Sequence, residues 1–143
     1  MKIALVGFAA LLSAVLLWKP APSSGPEAVR YGRDACERCR MLMSAPGFAA
    51  ERRDDKGTLH KYDDLGCMLI AASHAASGEA WVEDHAGSGF VPLLSATFVA
   101  GVGTPMNYGV VAFRDAATAA KFAADHGGRV VSLEQLLTTE VRR

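Results

Sequence analysis

The sequence predicts an α+β fold in which two consecutive ββαβ-like units pack as one small domain after an N-terminal hydrophobic segment. Two observations predict it. Short strand-forming stretches are separated by turn residues, and both halves of the chain follow the order strand, strand, helix, strand. The residues of the two halves do not match, so the repeat is one of topology. This pattern favours helices packed on a largely antiparallel sheet.

The N-terminus has the features of a targeting segment. Residues 3–18 form an apolar run between Lys2 and Lys19, which is typical of a secretory signal peptide or a short membrane anchor. The run is slightly shorter than the ~20 residues that comfortably span a bilayer. We assign this role to residues 1–19 and expect an extracytoplasmic chain, secreted or anchored on the periplasmic side of the cytoplasmic membrane.

A linker and a domain are predicted to follow the apolar segment. Residues 20–30, PAPSSGPEAVR, are rich in Pro and Ser, which stiffen and solvate a chain. The prolines also make the junction a poor cleavage site, which favours a retained anchor. Cys36 is the first cysteine and lies too far from the apolar run for lipid attachment there. Residues 31–143 form the predicted domain.

The first unit begins with a strand, turn and strand pattern. Its predicted elements are strands over 48–53 and 58–62, joined by a turn over 54–57, a helix through about Ala76, and a strand over 80–83. Asp63 and Asp64 are expected to cap the helix, and Gly78 to end it.

The second unit repeats this order and adds a short C-terminal helix. Its predicted elements are strands over 95–100 and 109–113, an Ala-rich helix, a strand over 130–131 and a helix over 133–138. Asp115 and Ser132 are expected to cap the two helices, and Gly127 and Gly128 to end the first of them.

Charge and motif content exclude several functions. The formal net charge is +0, and no basic stripe is present that would bind nucleic acid. The chain has no Gly-rich phosphate loop and no GxSxG motif, and no Ser/His/Asp grouping is evident. We therefore expect a binding protein rather than an enzyme.

Cysteine and methionine cluster in one early segment. Cys36 and Cys39 have the spacing of two thiolates that meet on one metal ion or close a small disulfide. In an extended chain Cys39, Met41 and Met43 would share a face. Thiolate with thioether is a soft ligand set that selects copper(I), whereas zinc seldom binds methionine. Flanking Arg38 would stabilise a thiolate.

Two later segments contain further sulfur. Cys67 is predicted in the first turn of a helix, where the helix dipole would lower the pKa of its thiol. A small buried hydrophobic residue is an equally good interpretation of Cys67. Met106 lies in a Pro-containing turn, where it is either a remote ligand or a hydrophobic plug. The predicted metal site comprises Cys36, Cys39, Met41 and Met106, with Cys67 and Met43 as weaker candidates.

Two other functions remain open on the residues alone. One is a periplasmic thiol-disulfide oxidoreductase that uses the CxxC pair, although the pair does not lie between a strand and a clear helix. The other is a structural or interaction domain held by a disulfide, a scheme in which the third of the three cysteines would stay unpaired.

The domain resembles the NosL family of nitrous oxide reductase accessory proteins. The resemblance is carried by the CxxCxM motif from Cys36, by YDDLGCM over 62–68, by PMNYG over 105–109 opening into VVAF, and by the Ala-rich helix ending in HGG at 126–128. It implies paired ββαβ units and a membrane-attached copper(I) carrier. Such a carrier receives copper from a donor protein and supplies an extracytoplasmic copper-sulfide enzyme.

The resemblance also implies ligand roles for Cys36, Cys39, Met41 and Met106. Two features depart from the family pattern. Many members are lipoproteins, whereas this chain lacks the N-terminal lipobox cysteine. Many also have glycine where this chain has Arg40, and a side chain there excludes backbone conformations open only to glycine.

Overall fold

The structure, a computed structural model, describes residues 24–72, 78–87 and 89–140. Its strands are β1 Ala50–Arg53, β2 Leu59–Tyr62, β3 Glu79–Glu83, β4 Phe90–Pro92, β5 Thr97–Ala100, β6 Val110–Phe113 and β7 Arg129–Val131. Its α-helices are α1 Leu65–Ala72, α2 Ala116–His126 and α3 Leu133–Gln135; a 3-10 turn covers Leu93–Ser95 and a π turn Leu136–Glu140.

The two predicted ββαβ units are confirmed. The first sheet has the order β2-β1-β3-β4 and the second the order β6-β5-β7, and all neighbours within them are antiparallel. In each unit the first strand is flanked by the second strand on one side and by the third strand on the other. The helix connects the second strand to the third. β4 and the 3-10 turn were not predicted, because a three-residue strand that ends in Pro92 is too short to show alternation.

The two sheets are joined where β3 ends. A parallel bridge pairs Asp84 with Ala112, and the His85 amide donates to the carbonyl of Ala112 over 2.8 Å. The two units therefore form one domain with a shared core, because α1 contacts β1 and β2 of the first sheet and β6 of the second.

The second sheet is buried on both faces. Phe98 and Val110 belong to the main core with α1, whereas Val99 and Val111 face a second cluster with α2. Alternate residues of a strand point to opposite faces, so an uninterrupted apolar strand is expected where both faces are covered.

Helix caps follow the predicted signals. The Asp115 side chain accepts from the Thr118 amide at the start of α2, and Gly127 ends that helix with a left-handed φ of +71°. Ser132 and Gln135 form a reciprocal capping box at the start of α3.

The C-terminal part of the predicted linker contacts the first sheet. The Arg53 guanidinium donates to the Gly25 carbonyl over 2.9 Å, and the Glu27 amide donates to the Glu51 carboxylate over 2.8 Å. The domain boundaries at 19 and 30 stay predictions, because residues 1–23 lie outside the described part of the chain.

Within residues 24–72, 78–87 and 89–140, no helix has the length and apolarity required to cross a membrane. The predicted signal or anchor segment lies outside these ranges.

Candidate metal site

The CxxC segment forms a tight loop before β1. A bridge between Ala35 and Leu42 closes it, the Cys36 amide donates to the Met41 carbonyl over 2.8 Å, and the Arg40 amide donates to the Cys36 carbonyl over 2.9 Å. Residues 37–39 are a turn. A turn brings the side chains of Cys36 and Cys39 towards each other, as two ligands of one ion require.

Arg40 adopts a left-handed conformation with φ of +64°. This region is uncommon for residues other than glycine and costs roughly 1–2 kcal/mol, but it is sterically allowed. The arginine therefore does not prevent the loop from turning at the position where many family members have glycine.

The prediction that Cys39, Met41 and Met43 share a face was wrong. Cys39 lies in the turn, so the segment is not extended there. Met41 is 55% exposed whereas Met43 is 0% exposed. Met43 is held by backbone bonds, since its amide donates to the Asp34 carbonyl and its carbonyl accepts from the Gly32 amide. Met43 is therefore better described as a buried core residue than as a ligand.

Three thiols converge although they come from separate segments. The Sγ atoms of Cys36, Cys39 and Cys67 all lie within 4.8 Å of one another, and all three cysteines are free. Cys36 and Cys67 are fully buried, and Cys39 is partly exposed. Cys67 occupies the first turn of α1, as predicted.

Met106 brings a thioether to the same place. Its Sδ lies 3.5 Å from the Sγ of Cys39. The residue belongs to a tight turn between β5 and β6, in which the Asn107 amide donates to the Thr104 carbonyl over 3.0 Å. Of the two interpretations of Met106, the geometry favours the remote ligand.

The three thiols have unequal proton affinities. The hydrogen bond from Cys67, together with backbone amides of Cys39, Asp63 and Arg38, lowers the pKa of Cys36 to about 5 against the opposing effect of burial. The hydrogen bond to Cys36, then burial, raises the pKa of Cys67. Burial is also the main cause of the raised pKa of Cys39. We therefore expect Cys36 to be the resident thiolate, the first of the three thiols to lose its proton.

The expectation that the helix dipole would lower the pKa of Cys67 was wrong in sign. The helix terminus is as predicted, but Cys67 lies beside a thiol that ionises first. A negative charge at hydrogen-bond distance holds the Cys67 proton more strongly than the partial charge of a short helix releases it.

Two buried aspartates hold the segments of the site together. The Asp64 carboxylate accepts from the Gly66 amide over 2.8 Å, which caps α1, and from the Met106 amide over 3.3 Å. Asp63 instead accepts from the amide of Ser44 over 2.7 Å. Only Asp64 is therefore a helix cap, and it also fixes the loop that bears Met106.

Tyr108 closes the other side of the site. A Cβ atom on Gly66 would lie 2.2 Å from the Tyr108 ring, so only glycine permits this packing on the first turn of α1. The Arg38 guanidinium donates to the Tyr108 hydroxyl over 2.7 Å. Burial, then the nearby Cys67, raises the pKa of Tyr108. Sequence reasoning missed this contact, although glycine inside a helix start was a signal for a close approach.

The described histidines lie elsewhere. His60 pairs with Asp54 across the first hairpin, with 3.2 Å between Nε2 and Oδ2. His85 and His126 both contact the Phe122 ring near α2. Among residues 24–72, 78–87 and 89–140, the three cysteines form the only group of three or more His, Cys, Asp or Glu side chains close enough to hold one ion.

The fold and the site together define a small α+β protein in which three thiols and a thioether meet between two ββαβ units. A sequence model of the NosL family matches residues 30–141, and the chain belongs to that family. This membership confirms the resemblance and agrees with a binding protein rather than an enzyme.

The fold is also found in a crystal structure described as the copper chaperone NosL from Shewanella denitrificans. The two structures share a TM-score of 0.70 at 20% sequence identity, over 82% of this chain and 98% of that chain. At this identity the likeness establishes the fold alone. Comparison with curated protein sequences finds no match.

Proposed function

We propose that this protein is a copper(I) carrier that holds the ion through the thiols of Cys36, Cys39 and Cys67 and the thioether of Met106. The observation that carries the proposal is the convergence of three free thiols within 4.8 Å, with the Met106 sulfur 3.5 Å from Cys39. All of these donors are soft, and a set of thiolates with a thioether suits copper(I) better than zinc or a hard cation.

The site is graded in its exposure, which suits a carrier. Cys36 and Cys67 are fully buried, whereas Cys39 and Met106 are partly exposed. An acceptor's ligands can therefore reach the ion from the side of Cys39 and Met106 while the inner thiols still hold it. Met41 is 55% exposed beside Cys39 and is a candidate for an entering or leaving ligand.

The cellular role is proposed on the N-terminal segment and on family membership. The apolar run over residues 3–18 supports export and attachment at the periplasmic side of the cytoplasmic membrane. The Shewanella denitrificans relative is described as a copper chaperone. We infer that this chain receives copper from a donor protein and delivers it to an extracytoplasmic copper enzyme, with nitrous oxide reductase as the client that the family name suggests.

The test is competition for copper(I) between the reduced domain and a colorimetric chelator. We expect one copper(I) per chain, and we expect strong binding to be lost when Cys36 and Cys39 are both changed to Ser. X-ray absorption of the loaded domain should show a shell of sulfur neighbours. Retained affinity in the double variant, or a shell dominated by nitrogen or oxygen, would overturn the proposal.

A matched pair of methionine variants checks the role of the thioether. Met106→Leu removes a sulfur that lies at the site, whereas Met43→Leu removes one that is buried in the same segment of the chain as the CxxC loop. Both changes nearly conserve volume, so the fold should tolerate them. Only Met106→Leu is expected to weaken copper binding; equal affinities in the two variants would remove Met106 from the ligand set.

A further inference from the structure

The tip of the CxxC loop, residues 37–42, is an exposed surface directly beside the sulfur site. Its apolar part consists of Met41 and Leu42, which are 55% and 56% exposed. Its charged part consists of Arg38, Arg40 and Glu37. Large apolar side chains that are grouped and exposed are a feature of protein docking surfaces.

The loop tip has an excess of positive charge. Two arginines accompany one glutamate, and the Arg40–Glu37 pair is loose, with 3.6 Å between nitrogen and oxygen and side chains that are 74% and 46% exposed. An exposed pair of this kind contributes little and exchanges readily for a better partner. Two arginines and one glutamate give the loop tip a formal charge of +1, in a chain whose formal net charge is +0.

Arg38 connects the loop tip to the opposite wall of the site. Its guanidinium donates to the Tyr108 hydroxyl over 2.7 Å and lies 5.9 Å from the centre of the Tyr108 ring. Tyr108 belongs to the β5–β6 loop that bears Met106, and Arg38 lies between the two cysteines of the motif. The contact therefore links the loop that carries the Cys39 thiol to the loop that carries the Met106 thioether.

The acceptor in this link is weaker than a carboxylate would be. A neutral phenol accepts a single hydrogen bond from the guanidinium, whereas a carboxylate can accept two that are assisted by charge. The link lies on the surface, so a carboxylate from another molecule can approach Arg38 without unfolding the site.

We propose that the loop tip is the docking surface for an acidic partner protein, and that Arg38 exchanges the Tyr108 hydroxyl for a carboxylate of that partner. This inference rests on the proposed copper(I) function. The exchange separates the loops that carry Cys39 and Met106. Copper(I) then passes from these sulfur atoms to soft ligands of the partner without a change in oxidation state. Met41 and Leu42 form the apolar centre of the contact.

The experiment measures copper(I) transfer from the loaded wild-type domain to two synthetic peptides. Both peptides contain the same Met-x-x-Met acceptor, flanked by Glu in one and by Lys in the other. At low salt we expect transfer to the acidic peptide to be about 10-fold faster. The difference should shrink at high salt because exposed charges are screened. Equal rates for the two peptides at low salt would overturn the proposal.

Arg38→Gln should remove most of the preference for the acidic peptide. Lys121→Gln is the matched control, because it removes the same charge from an exposed position on α2. This helix packs on the face of the second sheet that points away from the main core. The control should keep the wild-type preference. A wild-type preference in Arg38→Gln, or an equal loss in both variants, would show that the loop tip is not the recognition surface.

Tyr108→Phe tests the exchange itself. The variant keeps the ring against Gly66 but removes the hydroxyl that holds Arg38. Transfer to the acidic peptide should become faster than transfer from the wild-type chain. Because Tyr108 also interacts with the Cys67 thiol, the copper(I) affinity of the variant is measured beside its transfer rate. An unchanged rate would overturn the exchange step. Copper loading of the wild-type chain is measured first. A chain that takes up no copper(I) would contradict the proposed function. A chain that takes up copper(I) but transfers it without a charge preference would contradict the docking proposal alone.

Discussion

The two ββαβ units share a strand order but use their helices and hairpins differently. In the first unit the hairpin turn is tight, since the Asp54 amide donates to the Thr58 carbonyl. In the second unit residues 101–109 form a longer loop, and this loop extends to α1, where the Met106 amide donates to Asp64. The sulfur site therefore lies where the hairpin loop of one unit meets the helix start of the other.

The helices differ in the same way. α1 lies within the main core, and its first turn carries Gly66 and Cys67. α2 lies on the outer face of the second sheet, and its buried residues are Ala119 and Ala123. The two units thus share a topology, but only α1 has a cysteine in its first turn. Three predictions test this division of roles between the units.

The largest expected effect is on the stability of the second unit. Phe113 is buried to 1% exposure and packs with His85 and Phe122 on the α2 side of the sheet. Phe113→Ala should reduce the free energy of unfolding by about 3–5 kcal/mol, because truncation leaves a cavity. Urea unfolding measures this loss. Copper affinity should be unchanged where the variant is folded, and a weakened site there would show that the second unit's outer core shapes the metal centre.

A pair of helix caps gives the next largest effect. Asp64 caps α1 and Asp115 caps α2, but only Asp64 also accepts from Met106. Asp64→Ala leaves buried amides without an acceptor, so it should cost about 1–3 kcal/mol of stability. It should also weaken copper(I) binding roughly 10-fold, as loss of a group that orients a ligand does.

Asp115→Ala serves as the control for this comparison. Its carboxylate is exposed at the start of α2, so the variant should lose less stability than Asp64→Ala and no copper affinity. Chelator competition and thermal unfolding of both variants provide the two measurements. Equal copper affinities in the two variants would mean that Asp64 acts as a cap and nothing more.

The third prediction concerns the dependence of stability on pH in the reduced, metal-free chain. The folded pKa of Cys36 is about 5, below its ordinary value of 9.0. Its ionisation therefore contributes stability that is complete above pH 9, declines below it, and is lost as the pH falls through 5. Cys67 has a raised pKa, so its contribution is complete below its ordinary value and is lost above it.

Together these opposite shifts predict that the contribution of this pair to stability rises as the pH increases from about 5, is greatest near pH 9 and falls above it. Thiolate absorbance in the ultraviolet should show one thiolate forming near pH 5, and Cys36→Ser should lack that step. Thiolate absorbance that first appears near pH 9 would show that Cys36 is not the resident thiolate.

Most of the fold could be predicted from the sequence because its signals are local. Alternating strands, capping aspartates and helix-ending glycines depend on neighbours a few residues apart, and these signals set the eight described elements of the repeat. β4 lacked such a signal, since it has only three residues. The burial of β5 and β6 on both faces agreed with their uninterrupted apolar character.

The site could be predicted only in part. The sequence indicated Cys36 and Cys39 through their spacing, and Met106 through its unusual position in a turn. It placed Cys39 on a common face with Met41 and Met43, whereas Cys39 lies in the turn over residues 37–39, and Met41 is exposed while Met43 is buried. It also gave Cys67 a lowered pKa, because the dipole of its own helix is visible in the sequence and the neighbouring thiol of Cys36 is not.

The sequence by itself determined the order of the elements, the CxxC loop and the presence of soft donors. Tertiary structure decided which of those donors meet: Cys39 and Met106 are 67 residues apart along the chain, and their sulfur atoms lie 3.5 Å apart in space. The physical reason is that local signals fix backbone conformation over a few residues. The contact between donors depends on the packing of one unit against the other, which the glycine at position 66 permits.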